Sequence, residues 1–167
     1  MNVFFLHDDP RKAARMLGDK HVGKMLLESA QMLFTAVRKH GFDGGGYKSA
    51  YENHPMTVWV GQSYDHARWV LEHALELAHE FEYRYGHAHK TTQMLPTLSL
   101  AVHNHMPDNG WRNPPRCIPN EYKHDYATHA GPESCHVASY RDYYMHDKRH
   151  LHTYTRRDAP DWLGVAA

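Results

Sequence analysis

The sequence predicts a mostly α-helical protein, a compact helical bundle with irregular, proline-rich connections. Three observations carry this. Apolar residues recur at helical spacing across two long segments, near residues 19–40 and 55–85. Helix-starting and helix-stopping residues bracket both segments. No series of alternating runs suggests a sheet. With 167 residues, 41% of them hydrophobic, the chain can bury one substantial core. A single domain over 1–167 is therefore expected.

Each element has its own signal. "MNVFFL" is short and apolar, either a strand or a buried tail. Asp9-Pro10 then supplies a cap and a first-turn proline for a short helix reaching about Leu17. Gly18 breaks it, and a longer helix follows from Asp19 to about His40. "GFDGGGYKSAYEN" is a loop on its glycines. Pro55, in "NHP", opens the next helical region. Its Ala67, Val70, Leu71, Ala74, Leu77, Ala78, Phe81 and Tyr85 keep helical spacing until Gly86 stops it. Between Thr91 and Gly131, Pro96, Pro107, Pro114, Pro115 and Pro119 permit only short helices. Pro132-Glu133 starts a last helix, "PESCHVASYRDYYMHDKRHLH", and "RRDAPDWLGVAA" closes the chain.

Composition narrows the function classes. Nineteen basic residues balance nineteen acidic ones, so net charge neither demands nor excludes a nucleic-acid partner. The charges are uneven: eight Lys/Arg against five Asp/Glu in residues 1–50, three against six in 51–100. A locally basic surface is thus compatible with overall neutrality. Seventeen histidines make the charge unusually sensitive to mild acid. Cys117 and Cys135 lack zinc-type spacing and read as free thiols in a reducing compartment. No long apolar run and no secretory-type start is visible, so a cytoplasmic protein without a membrane partner is expected. P-loop, GxGxxG and GxSxG motifs are missing, leaving nucleotide-fold and serine-hydrolase chemistry unsupported.

The segment "DKHVGKMLLESAQ" is the most informative. On a helical wheel, Lys20, His21, Lys24, Glu28, Gln31, Thr35, Arg38 and Lys39 fall within one arc of roughly 100°. Nearly all other positions are apolar, so neighbouring elements should enclose the helix and leave its polar stripe facing a narrow opening. Glu28, between Lys24 and Gln31 and two turns from His21, suits a general acid/base or the stabiliser of a developing cation. The plainer reading is a solvated Lys24–Glu28 i,i+4 pair.

Two further clusters carry the same ambiguity. "EYRYGHAHK" gathers Arg84, His87, His89 and Lys90 at a helix end, with Tyr83 or Tyr85 able to stack on a base. Alternatively, these cations only complement the helix dipole. "SYRDYYMHDKRHLHTYTRR" interleaves aromatic and basic residues, as a surface tracking phosphates would, with Arg141 and Lys148 the best contacts. Alternatively, Tyr140, Tyr143 and Tyr144 pack as core. His146/His150 and His103/His105 are close pairs, but no completed ligand set accompanies either, so neither metal nor cofactor is expected.

"DKHVGKMLLE", followed after five residues by "FTAVRKHG", resembles the N-terminal helix of the phage pyrimidine-dimer DNA glycosylase (endonuclease V) family. The likeness covers residues 19–90, with "HP" at 54–55 and "YRYGH" resembling motifs of bacterial relatives. The whole chain is similar to phage proteins sharing "DKHV", "NHP", "YRYG", "HK" and "YRDYY". The resemblance implies a compact helical fold that bends duplex DNA and extrudes a nucleotide, with the family's catalytic glutamate falling on Glu28. In that family an N-terminal amine attacks the sugar C1′. Here the family's N-terminal threonine falls near His7, and Asn2 is too large for efficient removal of the initiator methionine. The expectation is a retained Met1 and no amine-lyase step.

That shifts the expected reaction toward transfer of an amino acid or amine to an activated 5-hydroxymethyluracil, as in phages with hypermodified thymine. Such a reaction needs a flipped base, cations for a phosphate leaving group and a base for the incoming amine. Glu28, His21 and His54 are the expected catalytic groups. Lys20, Lys24, Gln31, Arg84, His89 and Lys90 would bind substrate and phosphate. Arg38, Tyr85, Arg141, Tyr144 and Lys148 would contact double-stranded DNA, with a free amino acid as co-substrate. The alternatives are a pyrimidine-dimer-type N-glycosylase/AP lyase and a non-catalytic phage DNA-binding protein.

Overall fold

The computed structural model describes residues 2–164. Helix α1 (Pro10–Arg15) begins where the Asp9 carboxylate accepts hydrogen bonds from the Arg11 and Lys12 amides. Those N–H groups have no partner within the helix, and Pro10 brings none to satisfy. Helix α2 (Asp19–Lys39) follows after Gly18. Helices α3 (Pro55–Val60) and α4 (Tyr64–Tyr85) come next, and Gly86 closes α4 at a left-handed φ of 74°. A 3₁₀ turn (Lys90–Met94) leads into α5 (Leu95–His105), and α6 (Cys135–His146) comes last. Among the described residues there is no strand, and no helix is long and apolar enough to cross a membrane.

Packing centres on α2, which lies against α4, while α4 also carries α1. Gly23 permits that approach: a Cβ there would stand 3.0 Å from the Phe81 ring. The tail Val3–Leu6 is fully buried without strand pairing, answering one open choice of the sequence. Phe5 stacks on Trp69 with ring centroids 4.2 Å apart, and Phe4 meets Tyr144 edge-on at 5.3 Å. The tail therefore threads between α4 and α6.

Two expected helices are shorter than their periodicity suggested. The region 53–85 is broken at residues 61–63, because α3 folds back on the start of α4. There the His66 ring stacks on Trp59 (4.2 Å) and its Nδ1 donates to the Trp59 carbonyl at 2.8 Å. The last helix spans 135–146 rather than 132–152. Beyond it the chain turns back, so that His152 stacks on Tyr144 (5.0 Å) and the Thr153 carbonyl accepts from the Asp19 amide at 2.8 Å. Residues 106–134 are irregular apart from one 3₁₀ turn (Asn120–Tyr122), as their prolines predict.

Candidate active site

Glu28 lies midway along α2 with its side chain 15% exposed, 4.0 Å from the Lys24 ammonium. Its Oε2 accepts a hydrogen bond from the backbone N–H of Asn2 at 2.9 Å. The N-terminal tail, anchored by Phe4 and Phe5, is thus led back across α2 to the one carboxylate of its polar stripe. The Asn2 side chain is held as well. Its Nδ2 donates to the Cys117 carbonyl (3.0 Å), and its Oδ1 accepts from Tyr140 (3.0 Å).

His54 caps α3, its Nδ1 accepting from the Met56 amide at 3.2 Å. In the neutral ring this leaves the proton on Nε2, so His54 fits a hydrogen-bond donor better than a base. Burial lowers its pKa, while the charge of Glu28 nearby pulls the other way. His54 also walls an open cleft of ≈ 690 Å³ together with Pro115, Arg116, Cys117 and Lys123. Burial raises the Cys117 thiol above its ordinary range, so it stands as a neutral thiol there.

Lys20, Lys24 and Lys90 are exposed. His89 caps the 3₁₀ turn through Nδ1 and lies edge-on to Phe81, beside Gly23 of α2. Gln31 is half-buried one turn beyond Glu28. Lys20 and Lys24 thus form a basic flank of α2 beside Glu28, and the exposed Lys90 follows His89.

Other expected site residues lie elsewhere. Arg84 is fully buried, its guanidinium bonded to Glu80 (2.8 Å), Asp19 (2.9 Å) and the Leu17 carbonyl (2.8 Å). It has no face left for a phosphate and is a structural ion-pair residue. Tyr144 is also fully buried and cannot touch DNA; its hydroxyl accepts from the Gly18 amide at 2.9 Å and contacts His21 Nδ1 at 2.8 Å. His21 is 4% exposed, and burial, with the nearby Lys24 and Lys148 charges, lowers its pKa to about 4. It is a neutral packing histidine rather than a base facing substrate.

The remaining expected DNA contacts are partly engaged within the chain. Arg38 donates to the Gly44 (2.9 Å) and Tyr47 (3.2 Å) carbonyls, tying down the glycine loop. Arg141 donates to the Leu6 carbonyl at 2.8 Å and packs over Trp162. Lys148 pairs with Asp147 at 2.7 Å and lies over Tyr143. Tyr85 keeps an exposed ring, although its hydroxyl bonds to the Asp19 carbonyl at 3.0 Å. Among the described residues no three metal-type ligands converge. Sequence reasoning missed Asn2, Cys117, Tyr140 and Lys123; no local spacing connects any of them to Glu28.

The scaffold is helical, and its half-buried Glu28 meets a threaded N-terminal segment. The family profile described as pyrimidine dimer DNA glycosylase matches residues 1–94. That is more than half the chain, and it includes the N-terminal tail as well as α1 to α4. The chain belongs to the pyrimidine dimer DNA glycosylase family, whose activity is of the glycosylase type on pyrimidines in DNA. No curated protein and no solved structure matches the chain.

Proposed function

We propose that the chain excises a damaged pyrimidine from duplex DNA by an N-glycosylase/AP-lyase reaction, with an α-amine of the N-terminal segment as nucleophile. The observation that supports this reading is the 2.9 Å contact between the Asn2 nitrogen and Glu28. A mature chain starting at Asn2 would present its amine at that position. One starting at Met1 would present it within about one residue's reach, ~3.8 Å between consecutive Cα atoms. Met1 itself lies outside the described residues, and so does the expectation that it is retained. This return of the N-terminal segment to Glu28 is the reason to prefer excision.

The neutral amine attacks the sugar C1′. The bond from C1′ to the pyrimidine breaks, and the base leaves with that electron pair and takes up a proton. Sugar ring opening breaks the C1′–O4′ bond, O4′ takes up the remaining amine proton, and an imine forms between the nitrogen and C1′. Loss of a C2′ proton, with the 3′ phosphate leaving on the C3′–O electron pair, then cuts the strand. Glu28 accepts the amine's proton and stabilises the positive charge developing at C1′. His54 Nε2–H and Lys24 are donors available to oxygen atoms of the extruded nucleotide, and Lys20, Lys90 and Lys123 hold flanking phosphates.

Borohydride trapping on DNA containing a pyrimidine dimer or an abasic site tests this, with mass spectrometry of protein and nucleosides. A covalent adduct on the α-amine is expected, absent in Glu28→Gln. The same spectrum reads the mature terminus. Transfer of an amino acid to activated 5-hydroxymethyluracil uses the same extruded base, and no observation favours it over excision. Base gain without trapping would assign that reaction instead, and unchanged DNA would leave only a binding protein.

A further inference from the structure

We propose that Tyr140 is a positioning residue for this reaction, acting through the side chain of Asn2, so that the chain beyond the family match completes the site. The inference rests on the excision reading. It starts from a buried polar cluster: Tyr140, 0% exposed in α6, has its hydroxyl 3.0 Å from Asn2 Oδ1 and 3.2 Å from the Pro115 carbonyl. The same oxygen accepts from the Cys117 amide at 3.2 Å. Burial pushes its pKa well above the ordinary phenol value, so the group remains a protonated donor.

The chemistry of these contacts fixes the Asn2 amide in one orientation. Oδ1 meets donors, the Tyr140 hydroxyl and the Val3 N–H at 2.9 Å, while Nδ2 meets the Cys117 carbonyl at 3.0 Å. A flipped amide would set its NH₂ against the Val3 N–H and its oxygen against the Cys117 carbonyl, losing both of those bonds. With the side chain clamped, only a small range of backbone positions remains, and that range brings the Asn2 nitrogen to Glu28 Oε2. Both external anchors, Cys117 and Tyr140, come from outside residues 1–94. The matching half supplies the carboxylate, and the rest of the chain holds the segment that faces it.

A role in packing alone would make Tyr140 an ordinary core aromatic, and its hydroxyl would be irrelevant to rate. Tyr140→Phe keeps the ring and removes only the hydroxyl. Single-turnover borohydride trapping on abasic-site DNA should then slow by roughly 10- to 100-fold, the effect of a loosened reacting geometry. DNA affinity should stay within about twofold of the parent, since the change touches no phosphate contact. Peptide mapping of the reduced adduct should show part of it moved from the α-amine to lysines near Glu28, which a folding defect would not cause. Asn2→Leu releases the same clamp from its other end, keeps a bulky second residue and serves if Tyr140→Phe does not fold. Trapping of either variant at the parent rate and on the parent amine alone overturns the inference while leaving excision intact. A parent protein that forms no adduct overturns both.

Discussion

Two carboxylates on the two long helices look alike in sequence: Glu28 four residues after Lys24, and Glu80 four residues before Arg84. The structure separates them. Glu80 is 1% exposed, and both its oxygens are taken, by Arg84 (2.8 Å) and by Arg157 (2.8 and 2.6 Å). Burial alone would push its pKa up, but the two guanidinium groups outweigh this and hold it below the ordinary value. Glu28 faces a threaded backbone nitrogen, and the groups around it border an open cleft. A carboxylate saturated by fixed cations stabilises a fold and has no capacity left for a substrate. One that accepts from the N-terminal segment, close to the cleft walled by His54, is placed to exchange that partner for a substrate group.

The sharpest way to break this comparison is to neutralise each carboxylate. Glu28→Gln should lower abasic-site cleavage by roughly 10²- to 10⁴-fold, the usual worth of a positioned acid/base group, with little change in the urea midpoint. Glu80→Gln should do the reverse. Leaving Arg84 buried with an incomplete partner set costs about 3–5 kcal/mol of stability in a urea titration, while cleavage per folded molecule holds. A large rate loss in Glu80→Gln without destabilisation would erase the distinction.

Acid sharpens it from another side. Burial lowers His21 to a pKa of about 4 and His73, which stacks on Trp69 with neither ring nitrogen hydrogen-bonded, to about 3. Both are depressed below the ordinary 6.5, so the unfolded chain binds protons that the folded one refuses. Their contribution is complete above about pH 6.5 and is lost as pH falls toward the folded pKa values, on the order of 3 kcal/mol for His21. Urea midpoints measured from pH 7 to 4.5 should fall accordingly. His73→Phe, an apolar ring in an apolar site, should flatten the decline; an unchanged slope would mean that His73 is not buried neutral.

The smallest expected effects lie on the basic flank. Lys24→Ala and Lys90→Ala should each reduce the slope of log affinity against log salt by about 1. Arg84→Met should leave that slope unchanged, since its charge never reaches the surface. If Arg84→Met alters the slope and the lysine variants do not, the assignment of phosphate contacts is inverted.

Helix identity, the position of Glu28 and the family were legible in the sequence, because they rest on local order. Side chains three and four residues apart meet on one face whatever the rest of the chain does, and "DKHVGKMLLE" carries its motif within three turns. Asp9-Pro10, Pro55 and Gly86 marked helix ends through their own backbone preferences. What local order cannot state is which parts of a helix surface other elements will cover. Arg84, Tyr144 and His21 occupied polar or aromatic positions of the kind that reach solvent, but Tyr154 packs on Arg84, His152 on Tyr144, and Phe4 and Tyr144 on His21. The meeting of Asn2 with Glu28 spans 26 residues and that with Tyr140 spans 138. Only the packed core brings those groups within hydrogen-bond distance, because Phe4 and Phe5 must bury themselves between α4 and α6 before the tail has anywhere to point.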